Sequence, residues 1–291
     1  VDKGDGFNEV LAKIRALGIN QGSDLDWKTL AVTMKVVSRL QVGEYAITPG
    51  MSPRKLLRHL RKGQVIQHPF TIVEGWNIRD LRTALSLDEH LQHKIDKLND
   101  AELMEKLDRS GVAPEGRFLP ETYNFTRGNS DLQILGRAAD AMDKTLADTW
   151  QQRDKDAPLK SPDELLTLAS IVEKETGRAD ERPQIAGVFA RRIKIGMRLE
   201  TDPTVIYGMG SAYNGNIRKT DLQTDTPYNT YTRYGLPPTP IAMPGRDALL
   251  AAAHPAKGDA LYFVGIGGGA HHFSATYAEH QTFVAKYQMH R

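Results

Sequence analysis

The sequence predicts an α+β protein, with a small strand-and-helix module over residues 1–75 and a larger mixed α/β domain over residues 76–291. Three observations carry this reading. The first third repeats one spacing: Gly4, Gly6, Val10 and Ile14 share their offsets with Gly50, Ser52, Leu56 and Leu60, and again with Gly75, Asn77, Leu81 and Leu85. The middle third carries long apolar periods of about 3.6 residues, the mark of amphipathic helices. From residue 200 onward turns and short segments dominate. A chain of 291 residues has room for two domains at about 150 residues each.

Taken in order, each copy of the repeat reads as a short strand (residues 45–48 and 70–73), a Gly turn, a small or polar N-cap and an amphipathic helix. Two such units can pair their strands and pack their helices on one face. The helix after Ser52 carries Arg54, Lys55, Arg58, Arg61 and Lys62, a set that suits an anionic polymer as well as a solvated face. Residues 86–113 read as helical, with Leu87, Leu91, Ile95 and Leu98 on one buried stripe. Two prolines and a glycine in residues 114–123 break that pattern. Helices follow at 130–152 and 162–176, and a third runs through Ile185, Val188, Phe189 and Ile193 to stop at Gly196. A helix at 246–253 and a strand at 261–264 punctuate the loop-rich remainder, whose length suits a binding surface better than a connector.

Composition narrows the function. Apolar content of 40% and charged content of 25% are ordinary for a globular protein. A net charge of +2, with no Lys/Arg block alternating with aromatics, argues against nucleic acid. The absence of cysteine excludes disulfides, thiol nucleophiles and Cys-based metal sites. No run reaches the ~18 apolar residues of a membrane helix. The chain opens on Val1 in mid-pattern, so a targeting or anchoring segment is expected to precede it.

The most informative stretch is residues 161–175. Ser161 is a good N-cap, Pro162 suits the first helical position, and Glu164 is spaced to complete a capping box. Positions 165, 166, 168, 169, 171 and 172 are apolar, and Glu173 emerges at the end of that run. A carboxyl in such surroundings resists ionisation, which suits a general acid. A solvated Glu at the end of a core helix, flanked by Lys174 and Glu175, fits the same pattern. Rival carboxylates are Glu121, beside Pro120 and Tyr123, then Glu115 and Asp202; two acids straddling a bond would make an ordinary glycosidase. The C-terminal half adds hydroxyls, amides and aromatic faces, among them Tyr207, Tyr228, Asn229 and Tyr231. His271 and His272 are adjacent and form no metal-ligand spacing, and His254 before Pro255 reads as a turn residue. Gly265–Gly269 reads as a flexible turn. With no GxSxG, Walker or Rossmann motif, no metal and no cofactor are expected.

Several segments taken together resemble the YceG-like family of endolytic murein transglycosylases. They are Phe70-Thr-Ile-Val-Glu-Gly75, Glu115-Gly-Arg-Phe-Leu-Pro-Glu-Thr-Tyr123, Leu168-Ala-Ser-Ile-Val-Glu-Lys-Glu-Thr176, Gly196-Met-Arg-Leu-Glu-Thr-Asp-Pro-Thr-Val-Ile-Tyr-Gly208, Tyr228-Asn-Thr-Tyr231, Gly235-Leu-Pro-Pro238 and Ala251-Ala-Ala-His-Pro255. The opening Val1-Asp-Lys-Gly-Asp-Gly-Phe7 resembles, more loosely, the start of a LysM module. The resemblance implies a LysM-like glycan-binding module at 1–75 and a catalytic domain at 76–291. It implies a single-pass anchor in the cytoplasmic (inner) membrane, a catalytic part on the periplasmic face, and peptidoglycan strands as substrate, with cell-wall synthesis machinery as a partner. The bond between N-acetylmuramic acid and N-acetylglucosamine would be cut without water to leave a 1,6-anhydro end. Glu173, the first Glu of Ile-Val-Glu-Lys-Glu, would act as acid and then base, and Glu121, Asp202, Tyr228, Asn229 and Tyr231 would contact substrate. Two alternatives stay open: a hydrolytic muramidase with Glu121 or Asp202 as second acid, and a non-catalytic wall-binding scaffold in which Glu173 is structural.

Overall fold

A computed structural model describes residues 1–287. In chain order the elements are α1 (Phe7–Ala16), α2 (Asp24–Thr33), α3 (Pro53–Lys62), β1 (His68–Thr71), α4 (Ile78–Ser86), α5 (Asp100–Lys106), β2 (Thr122–Phe125), α6 (Asp131–Gln152), α7 (Pro162–Glu175), α8 (Arg182–Lys194), α9 (Asp202–Met209), α10 (Lys219–Gln223), α11 (Arg246–Ala253), β3 (Tyr262–Gly267), β4 (Ala270–Ser274) and α12 (Tyr277–Tyr287). The architecture is mixed, with helices predominating and two two-stranded sheets, β1–β2 and β3–β4, among the described residues. No described helix is long and apolar enough to cross a membrane.

Two compact units divide the chain, and neither is continuous in sequence. The first comprises Val1–Phe70, Asp88–His93 and Thr122–Ile134; the second takes Thr71–Leu87, Lys94–Glu121 and the chain from Leu135 onward. In the first unit α1, α2 and α3 bury Phe7, Val10, Leu11, Ile14, Trp27, Leu56, Leu57 and Leu60 against one another. The repeated spacing has a local cause. Gly4, Gly50 and Gly75 all take positive φ, at 99°, 78° and 78°. Each is followed two residues later by the N-cap of a helix: Gly6 of α1, Ser52 of α3 and Asn77 of α4. The shared pattern is thus a left-handed turn feeding a helix, and the strand expected at 45–48 does not form. That stretch is closed off by Gly43 at φ 142° and the turn at Gly50, and the backbone link from Ile66 N–H to Glu44 O (2.7 Å) extends into no strand.

The helix expected over 86–113 is also corrected. Only Asp100–Lys106 is helical there, and Leu87 is 75% exposed. Side chains compete with the helix for the backbone: Asp88 Oδ1 accepts the His90 N–H (2.9 Å), and Asn99 caps α5 in a reciprocal box with Glu102.

The second unit is built around α7. Leu165 through Val172 are all buried, so this helix is covered on every side, by α8 and α11 among others. At about 1.5–3 kcal/mol for each large apolar side chain buried, this run is a principal source of stability. Its two hydroxyls are satisfied internally: Thr167 donates to Asp163 O (2.8 Å), and Ser170 donates to Thr167 O (2.7 Å) while accepting Ile241 N–H (3.0 Å). Ser161 caps the helix by accepting Glu164 N–H (3.2 Å), but Glu164 turns one residue further back, to Lys160 N–H (2.7 Å). The antiparallel hairpin β3–β4 follows late in the chain, and α12 packs on it.

Candidate active site

The helix α7 ends in Glu173, Lys174 and Glu175, and at ~100° per residue the two glutamates leave it on nearly opposite faces. Glu173 faces the start of α8 and of α11. Its Oε1 accepts from Arg182 Nη2 (3.2 Å) and its Oε2 from Gly245 N–H (2.9 Å), and the side chain is 5% exposed. Arg182 also meets Glu74 and Asp247, each at 3.5 Å, so three carboxylates converge on one buried guanidinium. Burial pushes the Glu173 carboxyl up and Glu74 adds to this, while the Gly245 N–H and Arg182 pull it down. A Cβ at Gly245 would fall 1.9 Å from Glu74 Oε1, so any side chain there would have to push the half-exposed Glu74 carboxylate away from Arg182. Lys174 donates to Gly75 O (3.1 Å), tying the helix end to the loop before α4.

Glu175 has different surroundings. It is partly exposed and lines a cavity of about 410 Å³ together with Arg192, Glu200, Asp202, Tyr231, Tyr262 and His271. Burial pushes its carboxyl up to about 7, opposed by the Thr201 hydroxyl and Arg192, with the negative charge of Asp202 adding to the shift. Thr201 Oγ1 hydrogen-bonds Glu175 Oε1 directly. Asp202, at the start of α9, accepts the Tyr231 hydroxyl at 2.6 Å, which aligns carboxylate and phenol on one wall. Arg192 is a fixed cation in another wall, held by Leu261 O (2.7 Å) and Leu199 O (2.8 Å) with its guanidinium 5.2 Å from the Tyr262 ring centroid. The cavity therefore joins a carboxyl poised near neutrality, hydrogen-bonding partners and an aromatic face.

The residues marked out by the sequence are distributed unevenly around this cavity. Asp202 and Tyr231 line it; Glu121, Glu173, Tyr228 and Asn229 do not. Glu121 is engaged by Arg246 through Nη2 (2.6 Å) and Nε (3.1 Å). The Tyr228 hydroxyl meets Thr239 (2.8 Å), and its ring stands edge-on to Tyr207 at 4.8 Å. Asn229 is 1% exposed. Its amide donates toward Asp221, Leu222 and Thr224 carbonyls (3.3, 3.0 and 2.7 Å), and its Oδ1 accepts Tyr231 N–H (2.8 Å). Asn229 thus fastens the loop that carries Tyr231. Glu115 is buried at 2% exposure, accepting Tyr207 OH (2.9 Å) and Ile78 N–H (3.2 Å), and burial lifts it to about 7. Its Oε1 has no partner, a desolvated oxygen that favours the protonated form.

Among the cavity's carboxylates, Glu175 does not stand out in the sequence. Its signal was present in the phase of the helix, which turns positions 173 and 175 to different neighbours. Its partners Thr201 and Asp202, more than two dozen residues away, were not visible as such.

The YceG-like family model matches residues 1–286. An endolytic murein transglycosylase of Bacillus subtilis is 31% identical over 273 residues, covering 88% of this chain and 75% of that protein. An endolytic murein transglycosylase of Streptococcus pneumoniae is 28% identical over 77% of this chain, a match that spans 46% of the longer relative. A crystal structure of a yceG-like protein from Listeria monocytogenes superposes with a TM-score of 0.60 at 27% identity, covering 97% of both chains. A fold matched along almost its whole length, with an acidic cavity at the end of a buried helix, defines a member of a known enzyme-bearing family. The chain belongs to the YceG-like family.

Proposed function

We propose that this chain is an endolytic murein transglycosylase that cleaves peptidoglycan glycan strands without water, with Glu175 as its acid and base. The observation that carries the reading is the Glu175 carboxyl, poised at about 7 in a cavity of about 410 Å³ lined by hydrogen-bonding and aromatic side chains. The names of its relatives point to the same substrate. Protonated Glu175 donates to the oxygen linking N-acetylmuramic acid to N-acetylglucosamine, and that bond breaks as the muramoyl C1 gains oxocarbenium character. The resulting carboxylate takes the proton of the C6 hydroxyl, whose oxygen closes onto C1 as a 1,6-anhydro ring. The proton count closes on one residue, so no second catalytic carboxylate is needed. Asp202 and Tyr231 hold substrate beside it.

Glu173, favoured by the sequence, suits this task less well. Both of its oxygens already accept hydrogen bonds, one from a buried guanidinium, and those donors favour the ionised form. Its part is to lock α7 to α8 and α11. Glu121 and Tyr228 are assigned outer supporting positions, with hydrogen bonds already spent on Arg246 and Thr239.

A hydrolytic muramidase is the second reading, favoured by Asp202 standing near enough to Glu175 to raise its carboxyl. Action on murein puts the working site outside the cytoplasm. Single-pass anchoring, a LysM-like role for the first unit and association with wall-synthesis machinery rest on the family resemblance. The test is turnover of purified peptidoglycan by Glu175→Gln and Glu173→Gln. The first should lose ~100-fold or more, as expected on removing a general acid, while folded Glu173→Gln keeps measurable cleavage. The reverse order would return the acid to Glu173.

A further inference from the structure

We propose that His271 is a substrate-binding residue of this cavity, presenting Nε2 as an acceptor to a sugar hydroxyl while Glu181 fixes its tautomer. The inference rests on the reading of the cavity as a glycan site. His271 is the second residue of β4, just beyond the Gly267–Gly269 turn, and lines the same cavity as Glu175. Its cross-strand neighbour is Gly265, which has no side chain to cover the ring, and the Phe263 ring meets it edge-on at 5.5 Å and 88°.

The other side of the imidazole is held. Glu181, 7% exposed at the N-cap of α8, accepts from His271 Nδ1 at 2.7 Å through Oε2 and from the His271 backbone N–H at 3.0 Å through Oε1. Arg178 Nε approaches Oε1 at 3.4 Å. A carboxyl surrounded by these donors acts as an acceptor, which puts the imidazole hydrogen on Nδ1 and leaves the lone pair of a neutral ring on Nε2. Among the described residues no hydrogen bond to Nε2 is formed by the protein, although Nε2 is not sealed from solvent. His271 thus brings a pre-oriented ring to a cavity whose other groups include a proton donor, Glu175. Carboxylate-held imidazoles gain orientation in the same way at metal sites; here the partner with matching chemistry is a hydroxyl, which is abundant on a glycan.

The test uses Glu175→Gln as a background that binds glycan without cutting it, with a soluble peptidoglycan tetrasaccharide as probe. Calorimetry on this background should give binding about tenfold weaker on adding His271→Ala, the scale of one lost hydrogen bond in a desolvated site. His271→Gln, which can return an acceptor at the position of Nε2, should recover most of it. On the unsubstituted ring, nitrogen NMR should show Nδ1 protonated throughout and the Nε2 resonance shifting when tetrasaccharide is added. Unchanged affinity in His271→Ala, or an Nε2 resonance indifferent to glycan, would overturn the role of His271 alone. No binding by Glu175→Gln together with no cleavage by the unsubstituted chain would overturn the glycan reading, and this inference with it.

Discussion

Glu173 and Glu175 are both buried carboxyls at one helix end, and their partners separate them. Removing charge from Glu173 leaves Arg182 with Glu74 and Asp247, both farther from it and more exposed. Glu173→Gln should therefore cost about 1–3 kcal/mol of stability, less than the ~3–5 of a fully broken buried pair, measured by denaturant titration. Glu175 as acid must be protonated, so kcat/KM should fall as pH rises through about 7, and a profile flat across neutrality would exclude it. Glu115 offers a stability test of known sign. Its folded pKa is raised to about 7 from 4.5, so the native state holds an extra proton between those values. The contribution is complete below 4.5 and lost as pH rises through about 7. Glu115→Gln should flatten the decline of melting temperature between pH 4.5 and 7, and an unchanged slope would show that Glu115 titrates normally.

Elements differ in how much of them the sequence reveals. For α7, Ser161, Pro162 and the apolar run from Leu165 mark the start and the burial directly, and the structure differs only in sending Glu164 to Lys160. The stripe Leu87, Leu91, Ile95 and Leu98 has helical spacing without a helix, because Asp88 and Asn99 bind the backbone locally and restart it at Asp100. Periodicity misleads where such side chains interrupt it. The same limit applied to the site: Asp202 and Tyr231 could be marked by type, but Asn229 is of the same type and is spent on three carbonyls. Asn229→Ala should loosen the loop bearing Tyr231 and destabilise the chain by ~1–3 kcal/mol. Hydrogen exchange at residues 221–231 would measure this, and protection equal to the parent's would contradict it.

At the scale of the whole molecule, two interleaved units replace the single boundary that sequence spacing suggests, because residues 88–93 and 122–134 return to the first. Such returns leave no compositional trace. In the first unit α3 buries Leu56, Leu57 and Leu60 and exposes Arg54, Lys55, Arg58 and Lys62, while Arg61 donates to Met34 O (2.9 Å). If this unit gathers anionic wall polymer, reversing Arg54, Lys55 and Arg58 to Glu should weaken sedimentation with peptidoglycan, and more so at low salt. Cleavage of short soluble fragments should be spared; equal loss on both substrates would contradict a gathering role. The central claim, one carboxyl serving as acid and base without water, is tested most directly by the mass of the glycan ends released from purified peptidoglycan. The expected products carry 1,6-anhydro ends, lighter by one water than hydrolysis products. Reducing ends in their place would contradict the claim and assign the chemistry to a two-carboxylate muramidase.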